Sequence, residues 1–244
     1  MGINQEIEEL WTGGPRLKED DAVFKLCTDS VLLAFFAGKT QLKRKKYVID
    51  LGCGSGVISI LMAWNDENLL VDGVEILPEA ARLAEENINL NGLSGRVSII
   101  EGDMRDHREL LTPGIYDLTV SNPPYYASGS GKRSANDLNA TARTEDYCSL
   151  NDLCKAASYL TRWGGSFVTV HKPERLSEVF LAMTTNGFEP KRLRFTQHTL
   201  KSKPNLVFIE SRRGGKPTLS VEAPLILKNN DGRDSVEIKK IYHR

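Results

Sequence analysis

The sequence has no long apolar run, few cysteines and no excess of charge of either sign. None of its apolar runs approaches the roughly 20 residues that a membrane-spanning helix requires, so we expect no membrane anchor. The four cysteines form no Cys-x-x-Cys pair and lack histidines at zinc-binding spacing, so we expect reduced thiols and no metal site. Residues 1–9 are polar and acidic, unlike a secretory signal peptide, and we expect a cytoplasmic protein.

The 32 basic and 32 acidic side chains balance, but they are distributed unevenly. Residues 191–244 contain 13 Lys and Arg against 5 Asp and Glu, a net charge of +8, whereas residues 1–190 contain 19 against 27, a net charge of −8. A basic C-terminal quarter is typical of a surface that contacts nucleic acid, and here Arg192, Arg194, Arg212 and Arg213 are the candidates. A lysine-rich face in water has the same composition, so charge alone leaves both interpretations open.

Strand-like and helix-like segments alternate through most of the chain. Predicted strands cover residues 47–51, 69–75, 97–100, 116–120 and 166–170, with helices over 57–64, 78–90, 150–160 and 174–183. This alternation predicts an α/β fold with a parallel sheet and helices on both faces. Three later strands, over 193–195, 206–210 and 225–227, have no helices between them and suit antiparallel additions at the sheet edge. We expect a single domain over 1–244, with a helical cap over about 1–45 and basic strands over about 191–244.

A glycine-rich turn, Asp50-Leu51-Gly52-Cys53-Gly54-Ser55-Gly56, follows the first predicted strand. Gly52, Gly54 and Gly56 allow sharp turns and close approach of a ligand, and the helix that follows offers free N–H groups. The pattern differs from the Gly-x-Gly-x-x-Gly of dinucleotide-binding folds. Its leading Asp50 stands where a cationic amino-acid moiety would lie, which favours S-adenosylmethionine as the cofactor.

Two acidic residues follow the next two predicted strands. Glu75 ends the second strand, 19 residues after Gly56, where a carboxylate can accept hydrogen bonds from both ribose hydroxyls of an adenine nucleoside. Asp103 follows the third strand, and we expect it to accept from the adenine amino group. The order of these residues is the one that a nucleoside bound along the carboxyl edge of a parallel sheet requires.

The tetrapeptide Asn122-Pro123-Pro124-Tyr125 follows the fourth predicted strand directly. Its prolines fix φ and remove two backbone donors, which gives a rigid loop with outward-facing carbonyls. The Asn122 side-chain oxygen and the Pro123 carbonyl can accept both hydrogens of a planar amino group, and the Tyr125 ring can stack on the attached ring. Because this arrangement frees the nitrogen lone pair to attack a methyl group in line, we predict that all four residues are catalytic, with Asn122 also beside the cofactor.

Together these motifs resemble the signature of class I S-adenosylmethionine-dependent amino-methyltransferases. Within that class the chain resembles the bacterial tRNA1(Val) adenine-N6-methyltransferase family over residues from about 15 to 242. The narrower resemblance depends on three further stretches: Cys27–Ala34; Ala142–Glu145 running on through Gly164-Gly165 to His171–Leu176; and Gly214–Pro217 with Pro224–Ile226.

The resemblance implies a Rossmann-like, seven-stranded, mostly parallel sheet and methylation of N6 of the tRNA adenosine next to the 3′ side of the anticodon. It also implies that Thr28 and Asp29 lie over the amino-acid end of the cofactor. Thr144 stands where the family has a histidine-like position, and we give it no role.

The residues alone leave other functions open. A protein glutamine-amide methyltransferase would use the same tetrapeptide, because a side-chain amide presents the same planar NH₂, but only about 45 residues precede the first strand where its helical N-terminal domain would stand. A DNA amino-methyltransferase would need a target-recognition segment that the chain lacks, and rRNA is a further alternative. A non-catalytic S-adenosylmethionine sensor would not need the intact tetrapeptide.

We assign no catalytic role to the four histidines, and the polar loop over 127–142 suits contact with substrate.

Overall fold

The computed structural model describes residues 7–18, 27–41, 46–125 and 148–244, so the loop over 127–142 lies outside the described residues. The strands are β1 (Ile7–Glu9), β2 (Arg16–Lys18), β3 (Tyr47–Leu51), β4 (Leu70–Glu75), β5 (Val97–Glu101), β6 (Tyr116–Ser121), β7 (Thr161–His171), β8 (Phe188–Gln197), β9 (Pro204–Arg213), β10 (Ser220–Val221) and β11 (Leu225–Ile226). The helices are α1 (Thr28–Gly38), α2 (Val57–Asn65), α3 (Pro78–Leu90), α4 (His107–Leu110), α5 (Leu150–Leu160), α6 (Leu176–Thr185) and α7 (Val236–Ile241).

A nine-stranded sheet in the order β10-β8-β9-β7-β6-β3-β4-β5, with β11 also on β8, forms the centre of the fold. Strands β3 to β7 are parallel, so their carboxyl ends meet at one edge. Strand β9 runs antiparallel between β7 and β8. The expected seven-stranded, mostly parallel sheet is confirmed in β3 to β9, and the two-residue strands β10 and β11 extend it. The last expected strand, β11, runs parallel to β8 and not antiparallel.

Helices cover both faces of the sheet, as the alternation predicts. Buried side chains of α1, α2 and α7 pack on one face and those of α5 and α6 on the other. Consecutive residues of β3 show how one strand serves both layers, because Val48 lies in the first cluster and Ile49 in the second.

The N-terminal segment differs from the expected helical cap. Among the described residues of this segment, strands β1 and β2 form an antiparallel hairpin and α1 is helical. The hairpin docks on the end of α3, where the Lys18 N–H donates to Asn87 Oδ1 at 2.7 Å and the Arg16 N–H donates to Asn91 Oδ1 at 2.9 Å. Because an unpaired strand edge must satisfy its backbone donors, these two side-chain amides take the place of a third strand.

Gly164 and Gly165 lie between the predicted helix over 150–160 and the predicted strand over 166–170, where the sequence predicts a break, but the structure includes them in β7. This strand begins at Thr161, directly after the helix, and its register against β6 shifts between Tyr116 and Leu118. Gly164 has a φ of 76°, and a Cβ on Gly165 would lie 3.0 Å from the Asp117 carbonyl oxygen. The two glycines therefore allow an irregular strand where we had expected a break.

Within the described ranges, no helix is long and apolar enough to cross a bilayer. The four cysteines are free thiols, and the described residues contain no cluster of three His, Cys, Asp or Glu side chains that could hold a metal ion.

Two of the arginines proposed as RNA contacts form hydrogen bonds within the protein. Arg194 donates from Nη1 and Nη2 to the two oxygens of Glu237, both at 2.7 Å. Arg192 donates from Nε to Glu210 at 2.8 Å and from Nη2 to the Phe36 carbonyl at 2.8 Å. The Arg192 side chain is only 15% exposed and the Arg194 side chain only 11% exposed. The hypothesis that these two arginines contact phosphates is therefore wrong.

The other two arginines are also engaged with the protein. Arg212 donates from Nη2 to the Gln41 carbonyl at 3.1 Å, and Arg213 donates from Nη1 to the Thr161 carbonyl. All four arginines therefore bind the C-terminal strands to neighbouring elements.

Arg194→Ala is expected to lower the free energy of unfolding by about 1–3 kcal/mol, because it leaves the half-buried Glu237 carboxylate without its bidentate partner. Arg233→Ala is the matched control, since Arg233 is 81% exposed and its pairing with Asp231 is worth less than about 0.5 kcal/mol. Urea denaturation measures both. Equal, small losses in the two variants would contradict the structural role of Arg194.

Candidate cofactor and substrate site

The loops that follow β3, β4, β5 and β6 meet at the carboxyl edge of the sheet. The glycine turn, Glu75 at the end of β4, Asp103 and the Asn122 tetrapeptide lie at this edge in that order along the chain. At this edge Ser121 Oγ donates to the Leu51 carbonyl at 2.7 Å, which ties the end of β6 to the end of β3. The fold thus brings together the residues that the sequence places 70 positions apart.

The glycine turn has a backbone that other residues rarely adopt. Gly52, Gly54 and Gly56 have φ angles of 72°, 56° and 82°, all in the left-handed region that favours glycine. Gly56 also lies close to α3, since a Cβ there would be 3.2 Å from the Ala84 Cβ. The glycines are therefore needed for the path of the chain as well as for access by a ligand.

Glu75 holds the glycine turn from the neighbouring strand. The Gly54 N–H donates to Glu75 Oε2 at 2.8 Å, and the Leu77 N–H donates to Oε1 at 2.9 Å. The side chain is buried, with 5% of the residue exposed. A carboxylate accepts about four hydrogen bonds, so each oxygen retains a lone pair for a ribose hydroxyl.

Asn87, which is not among the residues predicted from the sequence, supports the same turn. Its Nδ2 donates to the Ser55 carbonyl at 3.1 Å, while its Oδ1 accepts from the Lys18 N–H. The signal available in the sequence was an amide between Ala84 and Ile88 on the apolar face of α3. Through Asn87 the N-terminal hairpin contacts the glycine turn.

Asp50 is a fully buried carboxylate with one unpaired oxygen. Oδ2 accepts from Ser59 Oγ at 2.8 Å, whereas Oδ1 has no partner among the described residues. Burial, and to a smaller extent the charge of Glu75, raises the pKa of Asp50 to about 7, against the lowering effect of Ser59. An unpaired carboxylate oxygen beside a glycine turn suits a cation, and this fits the positively charged amino-acid portion of S-adenosylmethionine.

Asp103 caps the short helix over Met104–Asp106 and pairs with Arg105. Its Oδ1 accepts from the Arg105 N–H at 2.8 Å, and its Oδ2 accepts from Arg105 Nε at 2.8 Å. Hydrogen bonds from Arg105 hold the pKa of Asp103 below its usual range. An adenine amino group at this position would share the carboxylate with Arg105, so the role of Asp103 stays a prediction.

The Asn122 tetrapeptide contacts the start of α1. Asn122 Nδ2 donates to Ser30 Oγ at 3.0 Å. The Tyr125 hydroxyl lies 2.7 Å from Asp29 Oδ2 and 2.9 Å from Asn122 Oδ1. A phenol has one hydrogen, so Asp29 and Asn122 are alternative acceptors for it. Burial and the neighbouring Asp29 raise the pKa of Tyr125, so the phenol is neutral at pH 7.

Thr28 and Asp29 differ in their placement. Asp29 contacts the tetrapeptide, whereas Thr28 is exposed. Their position over the amino-acid end of the cofactor remains a prediction.

The segment from His171 to Arg175 surrounds Tyr125, and the sequence analysis gave it no role. The His171 and Tyr125 ring centres are 5.7 Å apart, and Lys172 Nζ lies 5.0 Å from the Tyr125 ring centre. Arg175 Nη1 donates to the Tyr125 carbonyl at 3.1 Å. Burial, with the charges of Arg175 and Lys172, lowers the pKa of His171 to about 4, so this ring is neutral at pH 7.

Comparison with known proteins gives three consistent results. The family model described as the methyltransferase small domain matches residues 28–182. The tRNA1(Val) (adenine(37)-N6)-methyltransferase of Tolumonas auensis is 30% identical over 231 residues, which cover 91% of this chain and 89% of that protein.

Solved structures show the same fold. A predicted O-methyltransferase from Agrobacterium tumefaciens superposes with a TM-score of 0.72 at 20% identity, covering 88% of this chain and 96% of that one. Geranyl diphosphate C-methyltransferase from Streptomyces coelicolor, in complex with S-adenosyl-L-homocysteine, gives a TM-score of 0.55 at 15% identity and covers 75% and 80%. The class I methyltransferase fold expected from the sequence is confirmed.

The affinity for S-adenosylmethionine is expected to fall as the pH is lowered from 7.5 to 5.5. Asp50 becomes protonated below its pKa of about 7, and the loss approaches tenfold per pH unit once the neutral form predominates. Calorimetric titration across this range measures the change. Asp50→Asn is expected to bind at least tenfold more weakly at pH 7.5, with a flat pH dependence.

Protein stability provides the control for this prediction. Because the folded-state pKa of Asp50 is raised, the folded protein binds this proton more tightly than the unfolded chain, and its stability falls as the pH rises from about 4 to about 7. Asp50→Asn removes that slope. Cofactor affinity that is independent of pH in the unchanged protein would contradict the contact with Asp50.

Proposed function

The chain belongs to the methyltransferase small domain family, together with the tRNA1(Val) (adenine(37)-N6)-methyltransferases, and from this premise we propose that it methylates N6 of an adenosine in tRNA. S-adenosylmethionine is its cofactor. The observation that supports this reaction best is the position of Asn122-Pro123-Pro124-Tyr125 at the end of β6, held against the end of β3, from which the glycine turn continues. An amino group bound at the tetrapeptide lies next to the cofactor site.

The glycine turn and two carboxylates bind and orient the cofactor in this proposal. Glu75 would accept hydrogen bonds from the ribose hydroxyls, and Asp50, whose Oδ1 has no partner among the described residues, would hold the cationic amino-acid portion. When bound, S-adenosylmethionine supplies an electrophilic methyl group on a sulfonium. Because that methyl group is already activated, the protein contributes alignment and electrostatics, and a strong base is not required.

Asn122 Oδ1 and the Pro123 carbonyl accept the two hydrogens of the adenine amino group. In the structure Tyr125 Oη lies 2.9 Å from this Asn122 oxygen, so the incoming amino hydrogen replaces the phenol. Asp29 Oδ2, at 2.7 Å from the same hydroxyl, then takes the phenol hydrogen as its sole acceptor. Asp29 thereby frees Asn122 for the substrate without leaving the partly buried Tyr125 hydroxyl unpaired.

The substrate that fits best is an adenosine already outside a duplex. Bringing a loop base into the site costs less than extruding a paired base, and sequence-specific RNA recognition commonly uses such loops. The relatives' name, which specifies adenine 37 of tRNA1(Val), supports the anticodon-loop adenosine on the 3′ side of the anticodon. A tRNA substrate agrees with the cytoplasmic location that we expect from the sequence.

Incubation with total tRNA and methyl-labelled S-adenosylmethionine, followed by digestion to nucleosides, tests the proposed function. Label is expected in N6-methyladenosine. A tRNA1(Val) transcript with guanosine in place of the target adenosine is the matched control and is expected to accept less than about one hundredth of the label. Label in protein glutamine or DNA, with none in tRNA adenosine, would contradict the proposal.

A further inference from the structure

The turn between β8 and β9, residues 198–203, lies at the same sheet edge as the Asn122 tetrapeptide. Strand β8 ends and β9 begins at this edge, where Gln197 pairs with Pro204. One strand further in, His171 at the carboxyl end of β7 pairs with Val207 of β9. The turn is therefore next to the segment that surrounds Tyr125.

The turn has a defined conformation. The Ser202 N–H donates to the Thr199 carbonyl at 3.0 Å, and the Thr199 N–H donates to Ser202 Oγ at 3.2 Å. Gln197 Nε2 adds a bond to the Ser202 carbonyl at 2.8 Å. These bonds leave Leu200 and Lys201 as the two central residues, and Leu200 is 69% exposed.

The lysines of this turn are not neutralised. Over the described ranges no acidic side chain lies within ion-pair distance of Lys201 or Lys203, and both are exposed. Arg192 and Arg194, in contrast, are paired with carboxylates on the body of the sheet. Lys201 and Lys203 are therefore available to an external anion at the active edge.

Lys172 connects the turn to the candidate substrate site. Its ammonium lies 5.0 Å from the Tyr125 ring centre and 3.5 Å from the carbonyl oxygen of Asn205, which follows the turn. A base held at Tyr125 would place its flanking phosphates near this ammonium, with the turn beyond it.

We propose that Lys172 and the turn over residues 198–203 form the surface that binds the RNA backbone next to the target adenosine. The proposal rests on the proposed function. Lys172, Lys201 and Lys203 contact phosphates, and the exposed Leu200 side chain packs against a ribose or an unstacked base.

The test compares Lys201→Ser/Lys203→Ser with Lys46→Ser/Lys216→Ser. The control removes the same charge at the opposite edge, since Lys46 precedes β3 and Lys216 follows β9. Each lost phosphate contact lowers the slope of log affinity against log salt by about 0.7, so the turn variant is expected to bind tRNA about 25-fold more weakly at 0.1 M salt, with the loss vanishing near 1 M. Thermal denaturation, cofactor affinity and the rate at saturating tRNA are expected to be unchanged.

The outcomes separate this inference from the proposed function. If the unchanged protein methylates tRNA and the turn variant binds tRNA with the affinity and salt slope of the control, the inference is overturned and the proposed function stands. If the unchanged protein neither binds nor methylates tRNA, both are overturned. Lower cofactor affinity in the turn variant would also overturn the inference, because it would make the lysines structural.

Discussion

The parallel alignment of β3, β4, β5 and β6 is the constraint on which the rest of the site depends. Each strand ends at the same edge, so residues distant in sequence become neighbours without a specific contact having to recruit each one. The backbone bonds from the glycine turn to Glu75, and from Ser121 to the end of β3, then fix the loops relative to one another. Moving one strand by a single residue would transfer its side chains to the opposite face of the sheet.

The buried Asp50 carboxylate is unfavourable for the stability of the folded protein. A fully buried carboxylate with one oxygen unpaired is unfavourable, and its raised pKa reflects that cost. A bound cation offsets it. Asn122 differs, because its Oδ1 lies within hydrogen-bond distance of the Tyr125 hydroxyl, and the substrate takes this acceptor while the hydroxyl donates to Asp29. The cofactor side of the site thus offers an unpaired carboxylate oxygen to a cation. On the substrate side, an existing hydrogen bond is replaced by a bond to the substrate.

Much of this arrangement could be predicted from sequence. The glycine turn, Glu75 and the Asn122 tetrapeptide lie at consecutive strand ends, and local patterns reveal strand ends well. Asn87, Asp29 and the His171 segment act through contacts across the fold, which no local pattern encodes. Arg192 and Arg194 show the reverse failure, because a net charge summed over residues 191–244 does not reveal which of its arginines are buried in pairs with Glu210 and Glu237.

The central claim is that Asn122 acts on the amino group while the glycine turn, Asp50 and Glu75 hold the cofactor. Asn122→Ala, compared with the exposed control Asn68→Ala, tests it through two quantities: the dissociation constant for S-adenosylmethionine and the single-turnover rate of methyl transfer to tRNA. We expect Asn122→Ala to keep the dissociation constant within about threefold and to lose at least about 100-fold in rate, as when a preorganised hydrogen bond to the reacting group is removed. A rate equal to that of the unchanged protein would contradict the account.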